Sequence, residues 1–298
     1  PDDVLHALGT GELEVLRHYR TPRMPAYPSA RFGDFRARTR NSTGSLSRGQ
    51  VMAIGRRAAS QYREDHGMRG EVPHSWITLG DAEMAEGPLL ESLPPVKRFG
   101  LTHITFLPNI NRQGLDPSHY DGVAEWIRGQ FELSKIGTRE LKFGSRLEAL
   151  MAEEEGGEAL WLYLEHLTES QWQDLLRKSG DEIRQRLSQA NPAIGELLER
   201  YHSPEAGEPL TDEELKDMVT ELAGHDFNQL IPALGEARRL EEPTALLPWT
   251  VKGKGLPMEA HPLNHSARLT PAQIEQLREQ LGIPRGHEWS GFPEGSEE

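Results

Sequence analysis

The 298-residue chain contains no cysteine. Disulfides, thiolate metal sites and cysteine nucleophiles are therefore excluded. Aromatic residues are scarce, at 7 %. Nowhere do about 18 apolar residues run together, so no transmembrane helix is expected. Positive charge is also in deficit: 33 Lys and Arg stand against 47 Asp and Glu, a formal net charge of −14. Such a surface favours solubility and argues against broad nucleic-acid or anionic-membrane binding. The opening Pro1-Asp2-Asp3 is neither basic nor apolar, so no secretory leader is read there and a cytoplasmic location is expected. With 36 % hydrophobic and 27 % charged residues, the composition is that of a globular protein of one large domain or two small ones.

Residues 1–46 show little periodicity. Within them, 21–40 are rich in Pro, Arg and aromatics and read as an extended arm, laid on its own domain or on another subunit. The main domain spans 47–290, and 291–298 reads as a loose tail. Val51, Ile54, Ala58 and Tyr62 predict a helix over 47–65, stopped by Gly67. Ser75-Trp76-Ile77-Thr78-Leu79 is a short β-type run ending in Gly80-Asp81. His103-Ile104-Thr105-Phe106-Leu107 is a second, ending in Pro108-Asn109. Between them, 84–99 is expected to be helical in part, interrupted by Pro88, Pro94 and Pro95. Strand, helix and strand suggest a βαβ unit with a parallel sheet. Further strands are expected at 140–143 and 245–251.

Between these last strands the chain looks polar and helical. Thr168-Glu169-Ser170-Gln171 opens one helix. Thr211-Asp212-Glu213-Glu214 is a capping box opening another, with Leu215, Met218, Val219 and Leu222 on its apolar stripe. Thr270-Pro271-Ala272-Gln273 starts a last helix, with Ile274, Leu277 and Leu281 expected on its inner face. The expected fold class is α/β: a mostly parallel sheet flanked by helices, with a helical insertion at about 145–240.

In open parallel sheets, ligands sit beyond the carboxyl ends of the strands. Here those ends carry Gly80-Asp81-Ala82-Glu83 and Asn109-Ile110-Asn111-Arg112-Gln113. Asp81 supplies a charged oxygen, Asn111 an amide oxygen, and the backbone near Gln113 a carbonyl. Magnesium takes hard oxygen ligands of this kind and often shares them with a diphosphate. Gly80 lets a ligand approach the backbone closely. The same residues are also ordinary strand-ending turn residues. His261 and His265 have an i, i+4 spacing, but Pro262 argues against the helix a zinc pair would need. Lys252-Gly253-Lys254-Gly255 lacks the spacing of a P-loop. Arg36, Arg38 and Arg40 read as ion-pairing groups, given the acidity of the whole.

Gly80-Asp81-Ala82 with Asn111 thirty positions on resembles the GDG…N motif of thiamine-diphosphate enzymes. Residues 79–86 are similar to the "LGDGEMDE" stretch of the decarboxylase component of homodimeric 2-oxo-acid dehydrogenases, of the pyruvate type. Residues 109–116 are similar to their "NCNLQRLD", Gly224-His225-Asp226 to their "GGHD", and residues 251–255 to their "IKGYG". Asn264-His265 lies where their mobile loop carries a His. The matches come in the same order and cover roughly 40–290, the diphosphate-binding domain.

The resemblance implies thiamine diphosphate and magnesium as cofactors. Asp81, Asn111 and the Gln113 carbonyl would ligate the metal. Gly80, Ala82, Glu83 and Asn109 would lie against the cofactor, and Ser45, in Thr43-Gly44-Ser45-Leu46, would line its channel. Lys252 would balance anionic charge, and His265 would assist proton or acyl transfer. Implied partners are a pyrimidine-binding domain in cis or in trans, a lipoyl acyltransferase and a 2-oxo acid, in a homodimer or split heteromer. The pyrimidine-binding domain brings the Glu that activates the cofactor's aminopyrimidine, so the chain alone is expected to be catalytically incomplete. One departure is Ala82, where the family has Gly. Transketolases share the fold and part of the motif, so ketol transfer stays open, as does a non-catalytic paralogue. His265 as a plain loop residue and His225-Asp226 as a plain helix cap also stay open.

Overall fold

The computed structural model describes residues 46–68, 74–114, 121–203, 207–265 and 267–288. The expected arm up to Ser45, and the tail, lie outside them. By its internal contacts the chain divides into two units, Ala53–Ala267 and a second made of Pro1–Met52 with Arg268–Glu298.

The larger unit is built on four strands: β1 (Ser75–Gly80), β2 (Ile104–Asn109), β3 (Gly137–Leu141) and β4 (Thr244–Pro248). They form one all-parallel sheet in the order β1-β2-β4-β3. Helix α1 (Arg48–Asp65) precedes the sheet. A 3-10 turn (Ala82–Ala85) and α2 (Gly87–Arg98) lead from β1 to β2, and α3 (Val123–Leu133) precedes β3. Between β3 and β4, the described residues form α4 (Ser145–Met151), α5 (Gly157–Glu165), α6 (Glu169–Leu176), α7 (Gly180–Ala190), α8 (Pro192–Arg200), α9 (Asp212–Thr220) and α10 (Phe227–Arg239). This is the helical insertion expected from the sequence. The smaller unit holds α11 (Pro271–Gln280).

Successive side chains of a strand point to opposite faces, and a parallel sheet is covered on both. Ile77, Leu79, Ile104, Phe106, Ala245 and Leu247 enter one large core with Leu89, Leu93 and Val96 of α2 and Ile127 and Phe131 of α3. Leu141 and Leu246, with the half-buried Leu107, enter a smaller cluster with Ala233 and Ala237 of α10. The alternation along β4 thus divides its side chains between two helical layers.

Two expectations about helices are corrected. The prolines do not interrupt α2: Pro88 sits in its first turn, where its fixed φ suits a helix start, and Pro94 and Pro95 lie inside it. An interior Pro costs about 3 kcal/mol. Leu89, Leu93 and Val96 are all buried, each returning roughly 1.5–3 kcal/mol, so packing outweighs the local penalty. In α11 Thr270 starts the helix as expected, and it forms a capping box with Gln273. Its apolar face does not turn inward: Ile274 is 54 % and Leu281 63 % exposed. Caps and the Glu275–Arg278 ion pair set this helix locally, so apolar spacing there was no evidence of a core.

Strand limits also shift. The third strand covers Gly137–Leu141 rather than 140–143, because only Leu141 of Gly-Thr-Arg-Glu-Leu is buried and no apolar run marks its start. The fourth ends at Pro248 rather than 251, and beyond it Trp249 makes only an isolated bridge to Ile110.

Candidate functional site

β1 and β2 pair in register from Ser75 with Ile104 to Gly80 with Asn109, so their carboxyl ends finish side by side. Asp81 follows β1 and is buried. Its Oδ1 accepts the N–H of Ala82 at 2.8 Å and so caps the 3-10 turn. Its Oδ2 accepts the N–H of Asn111 at 2.9 Å and of Arg112 at 2.6 Å. These are charge-assisted bonds, stronger than neutral ones. One carboxylate therefore ties the two strand tips together. Asn111 Oδ1 accepts the N–H of Gln113 at 3.0 Å, so Asp81, Asn111 and Gln113 form a contiguous group.

The other expected cofactor contacts lie around this group. Glu83 Oε2 accepts the N–H of Gly80 at 3.3 Å. Asn109 Oδ1 accepts the hydroxyl of Thr250 at 2.6 Å, beyond the end of β4. A Cβ added to Gly80 would meet nothing within 4 Å, so open space adjoins this tip. Ala82 is exposed and its φ is not positive, so its methyl causes no backbone strain. Ser45 lies outside the described residues.

Lys252 and His265 reach the group from a loop after β4. Gly253 turns this loop with φ +72°, and a Cβ there would stand 2.2 Å from Asn264 Nδ2. That nitrogen donates to the Lys252 carbonyl at 2.8 Å and to the Met258 carbonyl at 3.0 Å. The N–H of Val251 donates to His225 Nε2 at 2.8 Å. His225 is thus an acceptor here, which requires a neutral ring nitrogen. Burial, helped by the charge of Lys254, holds its pKa below the usual histidine value. Asp226 caps α10 by accepting the N–H of Asn228 at 2.8 Å, and it also accepts that of Ser145 at 2.7 Å. Gly224-His225-Asp226 therefore contains a helix cap and, beside it, a brace for the Lys252 loop.

The ammonium of Lys252 donates to the carbonyl oxygen of Gln113 at 2.9 Å and lies 3.0 Å from Nδ1 of the exposed His265. Burial lowers the Lys252 pKa, and the carboxylate of Asp81 opposes that shift.

Sequence reasoning passed over Arg112. This residue is fully buried and takes the left-handed conformation at φ 62°. Its guanidinium lies over the rings of Trp172 and Trp249, 5.1 Å and 4.8 Å from their centroids. Glu169 Oε2 stands 3.4 Å away. Burial pushes the Arg112 pKa down and that of Glu169 up, each opposed by the other's charge. Beside it, Gln113 Nε2 donates to Gln173 Oε1 at 2.9 Å. The loop beyond β2 is thereby locked to α6. No local pattern announces this, since the aromatic partners lie far along the chain.

The donor set consists of one carboxylate, one carboxamide oxygen and one backbone carbonyl. All are hard oxygens, the chemistry magnesium and related ions take. The Gln113 carbonyl already receives a cationic group. The residues thus fit a divalent ion with an anionic ligand in the open space beside Gly80. Among the described residues no group of three or more His, Cys, Asp or Glu could hold a metal ion. Among them, no helix is long and apolar enough to cross a membrane.

The same fold occurs in solved transketolases. That of Campylobacter jejuni subsp. jejuni aligns with a TM-score of 0.56 at 15 % identity, over 93 % of this chain and 31 % of its own. A transketolase mutant of Pichia stipitis aligns at 0.55 and 14 % identity, over 94 % of this chain and 30 % of its own. The chain thus has a transketolase-like α/β fold and spans under a third of the length of these proteins. No family model matches the sequence, and no curated protein matches it.

Proposed function

We propose that the tips of β1 and β2 bind magnesium and, through it, the diphosphate of thiamine diphosphate. The observation that carries this reading is the Asp81 carboxylate, which gathers the backbone of Asn111 and Arg112 at the end of the neighbouring strand. Asp81, Asn111 and the Gln113 carbonyl hold the metal. Gly80, Ala82, Glu83 and Asn109 line the diphosphate. Lys252 neutralises anionic charge, and His265 beside it handles a proton or an acyl group. When bound, the cofactor supplies an electron sink for the carbanion left after bond cleavage.

The finer reading is a decarboxylase component of a 2-oxo-acid dehydrogenase, of the pyruvate type, which passes the acyl group to a lipoyl acyltransferase. The collinear motifs at Asp81, Asn111, His225 and Lys252 support it. Such an activity requires a pyrimidine-binding domain, in cis or in trans, within a homodimer or a split heteromer. Ketol transfer is the second reading, favoured by the transketolase neighbours.

Calorimetry with thiamine diphosphate and magnesium, with a pyrimidine-binding domain supplied, tests the site. Saturable, magnesium-dependent heat that vanishes in Asp81→Ala is expected. No heat from the wild-type chain would instead make it a non-catalytic paralogue. Turnover of a 2-oxo acid against a ketose phosphate then separates the two enzymatic readings.

A further inference from the structure

The contact between Lys252 and Gln113 engages, with an ammonium group, a carbonyl assigned above to a metal ion. That carbonyl cannot turn aside. Its residue is fixed by its own N–H on Asn111 Oδ1 at 3.0 Å and by its side chain on Gln173 at 2.9 Å and on the Ala260 carbonyl at 3.3 Å. The backbone of Lys252 is fixed as well: its carbonyl accepts from Asn264 at 2.8 Å and from the Ala260 N–H at 3.0 Å. Only the lysine side chain is left to move. A lysine ammonium is a compact charge on a flexible stem, suited to such movement. The exposed His265, 3.0 Å from Nζ, marks the side toward which it can swing. Two cations on one carbonyl oxygen would stand within about 4 Å of each other, where like charges repel strongly even at an effective dielectric near 20.

We infer that Lys252 and the divalent cation compete for the Gln113 carbonyl, so that metal entry drives the Lys252 ammonium off that oxygen toward the His265 side, where it meets the anionic ligand. This rests on the metal reading of Asp81, Asn111 and Gln113. It gives Lys252 two opposed effects. The ammonium costs the metal affinity, and once displaced it adds affinity for the diphosphate. A lysine that merely supported the loop would weaken both when removed.

The test uses the full chain and manganese as probe, followed by its electron paramagnetic resonance. In Lys252→Met, manganese alone should bind about ten-fold tighter or more. Inorganic diphosphate, added at saturating manganese, should bind weaker by a similar factor. Unchanged or weaker manganese binding in Lys252→Met, with binding still lost in Asp81→Ala, overturns the competition and leaves the metal site standing. No manganese binding to wild type or variant overturns both. A second measurement needs no variant: acylation of Lys252 in the wild-type chain, followed by mass spectrometry. Manganese should speed modification at this residue, and slower or equal modification overturns the proposal.

Discussion

The carboxylate of Asp81 receives the N–H of Arg112 at 2.6 Å, thirty-one positions further along the chain. The bond joins the ends of two parallel strands at the edge where a ligand would enter. It also gives Asp81 a structural duty independent of any metal. In Asp81→Ala, the N–H groups of Arg112 and Ala82 lose their acceptor, and that of Asn111 keeps only the Asn109 carbonyl at 3.1 Å. A buried donor left unpaired costs about 1–3 kcal/mol, and Arg112 N is the most buried of the three, so a loss of about 3 kcal/mol is expected in urea denaturation. Asp81→Asn keeps one oxygen acceptor and should lose roughly half as much. Equal midpoints for Asp81→Ala and wild type would show that this carboxylate does not join the tips.

Arg112 makes the second prediction. Its ion pair with Glu169, at 3.4 Å, is buried at both ends. Removing one member of such a pair leaves an uncompensated charge, at a cost of about 3–5 kcal/mol. Arg112→Met and Glu169→Leu should each approach that figure. The double substitution should cost less than the sum, with a coupling of roughly 1–3 kcal/mol. Arg112→Lys should also destabilise, because an ammonium lacks the flat, delocalised guanidinium that faces both Trp172 and Trp249. Additive single losses in the double-mutant cycle would mean the two charges do not interact.

The difference between what was legible and what was not follows from the range of the forces. The tips of β1 and β2 could be read because buried apolar runs such as Ile104-Thr105-Phe106 end in residues that stop a strand. The helix starts at Thr168, Thr211 and Thr270 could be read because each cap closes within three positions. The continuity of α2 could not, since local sequence shows the cost of Pro94 and Pro95 but not the packing of Leu93 and Val96. The polar β3 was misplaced for a related reason: its pairing with β4 carries no apolar mark on Thr138, Arg139 or Glu140. In the candidate site, Asp81 and Asn111 were singled out from their types at the two strand ends, and the structure joins them through one hydrogen bond. The buried role of Arg112 was missed because Trp172 and Trp249 are distant in sequence. The hold of Lys252 on Gln113 was missed for the same reason.

Ala82 is where the chain departs from the Gly-Asp-Gly pattern. Its backbone conformation is one any residue adopts, and its side chain is exposed. Ala82→Gly should therefore lower stability by no more than about 1 kcal/mol, through the greater freedom of the unfolded glycine. Its affinity for inorganic diphosphate, measured by calorimetry with manganese, should stay within about two-fold of wild type, a difference of less than 0.5 kcal/mol. A gain of ten-fold or more would mean that the methyl crowds the ligand.

His225 supplies a pH dependence with a defined sign. Its Nε2 accepts the N–H of Val251, so the folded loop needs the neutral ring. Burial lowers its pKa in the folded chain, while in the unfolded chain it titrates near the ordinary value of about 6.5. Between the two values the unfolded state binds more protons, so stability rises with pH across this window. The contribution is complete above about pH 6.5 and is lost as pH falls through the lowered folded value. In His225→Gln an amide oxygen can take the same N–H without titrating. Unfolding curves collected between about pH 7.5 and pH 5 should show the wild type falling more steeply than the variant. The difference should approach the worth of one hydrogen bond, about 1 kcal/mol. Parallel curves would mean that His225 is not the titrating acceptor that holds the Lys252 loop.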